Sequence, residues 1–323
     1  MHMADALLSP AVGGAMWLAS GAALAFAARR VQTSAREERV PLMGVLGAFV
    51  FAAQMINFAI PGTGSSGHLG GGLLLAILLG PHAALIVIAS VLAVQALLFA
   101  DGGLLAFGAN VLNVGVVPCL LTYPLVYRPL AGADPASRRA AVATVVAAVI
   151  ALQLGALGVV VQTSASGIAS LPAPAFLALM LPIHLAIGLI EGFATVAIVR
   201  FIARVQPELL GERETAAARR RPLAIAAPVA IAAALIAGGL SWFASDRPDG
   251  LEWSIAHAAE APIAVPANGV HQMAAGVQAR TALAPEYSIA AVPERAGTSL
   301  AGLAGGAITL LLIAGVAVLL RRR

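Results

Sequence analysis

The feature that most constrains this chain is a series of apolar runs, most of them near the length that crosses a hydrocarbon core as a helix. They fall at 11–28, 42–60, 69–100, 104–127, 140–162, 174–201, 223–243 and 300–320. With 323 residues, 60% hydrophobic and only 11% charged, the chain has less than half the charge of an ordinary soluble domain. A water-soluble globular fold and a disordered chain are both excluded. The expected class is an all-α polytopic membrane protein.

All 19 basic residues are Arg, and their placement sets the topology. Arg29, Arg30, Arg36 and Arg39 follow the first run; Arg128, Arg138 and Arg139 follow the run ending at 127. Arg200, Arg204, Arg213, Arg219, Arg220 and Arg221 follow the run ending at 201, and Arg321, Arg322 and Arg323 end the chain. These clusters share one side only if the long run 69–100 turns at Gly80-Pro81. Sixteen Arg then lie inside and three (Arg247, Arg280, Arg295) outside, as the positive-inside rule requires. The expectation is nine spans, N-terminus out and C-terminus in. The same placement explains the basic balance without nucleic acid. The single Cys119 sits in an apolar run, which excludes a disulfide framework or a cysteine zinc site.

The turn leaves residues 69–79 as a short Gly-rich span that needs shielding by neighbouring helices. Shortened helices of this kind commonly line binding sites. The start, Met1-His2-Met3-Ala4-Asp5, lacks the basic region of a cleavable signal peptide, so the terminus is read as mature. Residues 244–299 form a polar outer stretch, too sparse in large apolar side chains to promise a rigid core. Two units result: 1–221 with seven spans and 222–323 with two.

His2 is the most specific chemical signal. A metal bound by the terminal amine of Met1 and the His2 amide nitrogen closes a five-membered ring, and His2 Nδ1 closes a six-membered ring on the same ion. Three in-plane nitrogens suit Ni(II) or Cu(II). His68, after Gly64-Ser65-Ser66-Gly67, lies on the same outer side and is placed to supply a fourth nitrogen. His184 and Glu191 are seven apart, on one helix face; a carboxylate in a span faces the bundle interior, as a metal relay or, in the favoured reading, a structural anchor. Asn110 and Asn113 either reach the site or lock neighbouring helices. His257 and His271 lie in the outer loop, where they either collect metal or, in the favoured reading, are simply solvated. Gly64-Ser65-Ser66-Gly67 with His184 also resembles, weakly, the GxSG pattern of rhomboid intramembrane proteases, with Ser66 as nucleophile.

Met1-His2 with Leu8-Ser9-Pro10, Gly64 to Pro81, Asp101-Gly102-Gly103-Leu104, Gly108-Ala109-Asn110, Asn113, Gly115, and His184 with Gly188 and Glu191-Gly192 together resemble the CbiM/NikM family. These are the substrate-binding S components of energy-coupling-factor importers for cobalt and nickel. The family start His-Ile-Pro-Asp-Gly is here His2-Met3-Ala4-Asp5-Ala6. The resemblance implies a seven-helix bundle and a ligand set of the Met1 amine, the His2 amide and imidazole nitrogens, and the His68 imidazole. Asn110, Asn113, His184 and Glu191 are supporting candidates. Pro248-Asp249-Gly250-Leu251-Glu252 resembles the signature of the PDGLE module, similar to the two-span N component of the same importers.

The implied function is a metal-binding membrane subunit, with Co2+ or Ni2+ as transported substrate and no organic cofactor, in the bacterial plasma membrane. The chain has no Lys, hence no GxxxxGK[ST] phosphate loop. It is not expected to be an enzyme, and a transmembrane T component and cytoplasmic ATPases are the implied partners. The outer loop is expected to press on the N-terminal segment and assist metal loading. The competing class is a proton-coupled secondary transporter using Glu191 and His184.

Overall fold

The structure is a computed structural model that describes residues 2–34, 40–205, 210, 222–259, 263, 266, 269–290 and 292–321. Among the described residues it is built from helices: α1 (Pro10–Ser34), α2 (Val40–Gln54), α3 (Gly72–Leu79), α4 (Pro81–Leu98), α5 (Phe107–Ala131), α6 (Arg138–Ser166), α7 (Ala173–Val205), α8 (Pro222–Gly238), α9 (Gly250–Ala258), α10 (Gly269–Thr281) and α11 (Glu294–Arg321). Six of them (α1, α4, α5, α6, α7 and α11) are long and apolar enough to cross a membrane, with shorter apolar helices at Leu42–Gln54 and Ala226–Gly238. The chain is a multi-pass membrane protein.

Each apolar run contains a helix, and the long third run contains two. Gly80 (φ 83°) ends α3, and Pro81 begins α4, where its fixed φ suits a first helical turn and its missing N–H costs nothing. The eight-residue α3 is too short to span alone. All its residues but Ile77 are buried, against α4 and α5. The burial follows from its isolation: a short helix in hydrocarbon leaves end groups that only protein neighbours can satisfy.

α5 departs from a regular α-helix. From Val111 to Tyr127 its turns are π-helical, with Pro118 and Pro124 inside. Proline lacks an N–H and its ring collides with the carbonyl four residues back, so the wider i→i+5 turn accommodates both. α6 and α7 pack closely because Gly188 and Gly192 face α6 without side chains. A Cβ on either would lie 2.9 Å from the Val149 Cα or 2.8 Å from the Val145 Cα. That contact fixes the α7 face carrying His184 and Glu191. α1 is the least covered long helix; Trp17, Leu18 and Phe26 are exposed on it, as a lipid-facing surface requires.

The segment between α8 and α11 differs from the sequence expectation. It is sparse in apolar residues, yet it forms α9 and α10 and is docked. Leu251 packs in one cluster with Met3, Leu7, Leu8, Phe176 and Met180. Among the described residues, the buried side chains of α9 pack into the core of the N-terminal unit. α8 and α11 pack on α2 in turn.

Candidate metal centre

The N-terminal segment runs into the protein. Met3 is fully buried, and Asn110 on α5 clamps its backbone on both sides. Met3 N donates to Asn110 Oδ1 at 2.7 Å, and Asn110 Nδ2 donates to Met3 O at 3.1 Å. Gly103 N donates to the same carbonyl at 2.9 Å. Asp5 Oδ1 accepts from Ala106 N at 2.9 Å, which satisfies an end group of α5. Asn113 is a helix lock: its Nδ2 donates to Gln162 Oε1 on α6 at 2.8 Å. Spacing left the roles of the two asparagines open; in the structure Asn110 holds the Met3 backbone, while Asn113 bonds Gln162 and also reaches Met3 Sδ at 3.8 Å.

These contacts place His2 against His68, with ring centroids 5.1 Å apart and planes at 26°. His68 Nδ1–H donates to Leu69 O at 3.0 Å, leaving the lone pair on Nε2. Burial pushes the His68 pKa down to about 3, so the ring is neutral, the form a metal ligand needs. His2 Nδ1–H donates to Asp101 Oδ1 at 2.8 Å, with the His2 side chain only 7% exposed. His2 Nε2 is buried without a hydrogen-bond partner. Chelation through Nδ1 therefore requires the ring to give up Asp101 and to free Nδ1 of its hydrogen.

Asp101 is itself held. Its Oδ2 accepts from Tyr287 OH, in the second unit, at 2.7 Å. Burial opposes ionisation of Asp101, but the His2 ring and the hydrogen bonds from His2 and Tyr287 outweigh it and keep the carboxyl below its usual range. Burial and the Asp101 charge push the Tyr287 phenol well above its ordinary value, so it remains a donor. Ala100 (φ 55°), Glu286 (φ 52°) and Tyr287 (φ 58°), the left-handed residues other than glycine among those described, all flank this contact. Each such conformation costs on the order of 1–3 kcal/mol.

The loop carrying His68 is fixed from below by α7. Both Glu191 oxygens accept backbone N–H groups, from Gly70 at 2.9 Å and Gly71 at 3.0 Å. Gln54 Nε2 donates to Gly70 O, and Gln95 Nε2 to Gln54 Oε1, both at 2.8 Å. Glu191 is thus an anchor for the His68 loop. His184 donates from Nδ1 to Met180 O at 2.8 Å, and its Nε2 is buried without a partner. It packs beneath Gly250, where a Cβ would lie 2.6 Å from Ile183 Cγ2 and 3.4 Å from His184 Cε1. Ser66 Oγ donates to Arg247 O at 2.7 Å, an acceptor that does not raise its nucleophilicity. Met1 lies outside the described residues. Among the described residues, no group of three His, Cys, Asp or Glu side chains is placed to hold a metal; a site here needs backbone or terminal nitrogen.

The second unit covers the site. Ser66 N donates to Pro248 O at 2.8 Å, so the Pro248–Glu252 signature lies along the loop that leads to His68. Asp249 caps α9, accepting from Leu251 N and Glu252 N at 2.8 Å, while Glu252 Oε2 accepts from Asp249 N at 3.1 Å. The signature is a capping box with a glycine that seats against α7. His271, read from sequence as solvated, is 1% exposed and bonded to the N-terminal segment; loop composition carried no signal of a helix docking there. His257 stacks on Trp253 with ring centroids 3.9 Å apart.

Between the units lies a cavity of about 770 Å³ reaching His2 and His68. Seven carboxylates line it (Asp5, Asp101, Asp246, Asp249, Glu252, Glu286 and Glu294) against Arg247 and Arg295. A cleft with that imbalance raises the local concentration of cations.

The profile of a family described as the cobalt uptake substrate-specific transmembrane region, CbiM, matches residues 2–209, and that of the PDGLE domain matches 223–322. The chain belongs to the CbiM family, with a PDGLE domain fused to its C-terminal side. The CbiM part is similar to a solved transition metal transporter, with 30% identity and a TM-score of 0.54 over 64% of this chain and 93% of that one. The whole chain is similar to the probable fused nickel transport protein LarMN of Lactiplantibacillus plantarum: 32% identity over 98% of this chain and 97% of the relative. The fused nickel transport protein NikMN of Rhodobacter capsulatus is 33% identical over 75% of this chain and 74% of its own length.

Proposed function

We propose that this CbiM–PDGLE chain is the metal-binding membrane subunit of an ATP-driven energy-coupling-factor importer for Ni2+ or Co2+ in a bacterial plasma membrane. It has nine spans, N-terminus out and C-terminus in, divided into a metal-binding unit (1–221) and an N-type unit (222–323). The ligands are the Met1 amine, the His2 amide nitrogen, His2 Nδ1 and the His68 imidazole. Glu191, Asn110, Asn113 and His184 support them. A T component and cytoplasmic ATPases supply the energy.

The observation that carries this reading is the stacking of the partly buried His2 on His68 at the end of an acid-lined cavity. The relatives named for nickel transport agree with it. A hydrated divalent ion enters the cavity, loses water to the nitrogens, and displaces protons as it binds. Glu191 keeps His68 in place, with both its oxygens engaged by backbone N–H groups.

Uptake of radiolabelled Ni2+ tests the energy source. Cells with the chain, its T component and its ATPases should accumulate the ion at nanomolar supply, and inactivating the ATPases should abolish this. Accumulation that persists without ATPases and collapses with the proton gradient would replace the reading with a proton-coupled transporter using Glu191 and His184.

A further inference from the structure

The segment that carries His2 is poorly able to hold itself. Its regular structure is one 3-10 turn, Asp5–Leu7, too short to persist alone. Within it, Asp5 O accepts only the Leu8 N–H, at 3.2 Å, and a carbonyl has a second lone pair to offer. A further donor is supplied from the other unit. His271 Nε2 on α10 lies 3.0 Å from Asp5 O and 3.0 Å from Leu8 O. Carbonyls only accept, so this nitrogen carries the proton and shares it between the two.

Seven residues on, and so on the same side of α10, Gln278 Nε2 donates to Ala96 O and to Gly102 O, both at 2.8 Å. Gly102 adjoins Asp101, which holds His2 Nδ1. One face of α10 thus delivers donors to carbonyls of the two stretches that converge on His2. The other side of α10 is exposed at Met273 and Val277.

We propose that His271 and Gln278 are positioning residues of the metal centre: hydrogen-bond donors from the PDGLE domain that hold the His2 segment and the Asp101 turn in register over His68. The assignment rests on the reading of His2 and His68 as ligands. It gives the fused domain a part in the geometry of the site through identified atoms.

The test is a Ni2+ titration of the full chain with a free N-terminus, comparing wild type with His271→Leu, His271→Gln, Gln278→Met and His2→Ala. Removing a direct partner of a metal ligand costs about 10–100-fold in affinity; His271 acts one step further out, through Asp5 and Leu8, and a loss of about tenfold, the lower end of that range, is expected for His271→Leu. In His271→Gln the new side-chain amide can donate to the same carbonyls. That variant should therefore recover most of the affinity and the wild-type Ni2+ d–d absorption, whereas His271→Leu should shift the band. Gln278→Met should weaken binding in the same direction, and decides the matter if His271→Leu does not fold. Wild-type binding in both His271→Leu and Gln278→Met, with binding lost in His2→Ala, would overturn the clamp alone. An equal loss in His271→Gln and His271→Leu would overturn hydrogen donation as its basis. Wild-type binding in His2→Ala would overturn the ligand assignment and the clamp with it.

Discussion

Adding a tag before Met1 should abolish metal co-purification, while a tag after Arg323 should leave it intact. Three of the four proposed nitrogens belong to the first two residues, and extending the chain converts the amine into an amide and moves it away from the His2 ring. His2→Ala and His68→Ala should each have the same effect as the N-terminal tag, because each leaves an incomplete plane. Acid should weaken binding, since the ligands must lose protons. His68 contributes nothing to that fall near neutrality, because its ring is already neutral well above its pKa of about 3. Metal content of the purified proteins checks this, and equal content in both tagged forms would refute the chelate.

The second large effect is expected at Glu191. Glu191→Ala leaves the Gly70 and Gly71 N–H groups without their acceptors. A buried donor left unsatisfied costs about 1–3 kcal/mol, so the two together should cost about 2–6 kcal/mol. The loss falls on the loop that presents His68 rather than on the bundle as a whole. Ni2+ binding should drop by at least about tenfold in detergent, where no proton gradient exists. Glu191→Gln should also bind poorly, because one face of the amide offers a donor to a donor. Wild-type binding in Glu191→Ala, with only coupled transport lost, would contradict the anchor.

Much of this fold was legible because a membrane restricts what a chain can do. Runs of apolar residues have to be helices, and Arg placement located the break at Gly80-Pro81 that the structure places between α3 and α4. The π-helical course of α5 was not legible: Pro118 and Pro124 announce a distortion, but which turn absorbs it depends on the neighbours. At the site, His2 and His68 were legible because a histidine at position 2 closes chelate rings and the topology put His68 on the same side. Asn110 and Glu191 were found as polar residues in spans, with the partner of each unknown. Asp101, Tyr287 and His271 were missed as participants. An Asp-Gly-Gly turn reads as a turn, and Tyr287 and His271 lie in a polar segment whose order comes from docking on another unit. Spacing within that segment carries no information about a partner more than 180 residues away, as Tyr287 is from Asp101.

The central claim is that an in-plane set of nitrogens at the N-terminus holds the ion, and the absorption and magnetism of the Ni2+-loaded chain with a free terminus test it most directly. A metallated amide with an amine and two imidazoles favours low-spin square-planar Ni2+, while Zn2+ gains nothing from that plane and prefers tetrahedra. The expected result is a yellow, diamagnetic Ni2+ complex that Zn2+ displaces poorly. A paramagnetic octahedral spectrum, or tighter binding of Zn2+ than of Ni2+, would contradict it.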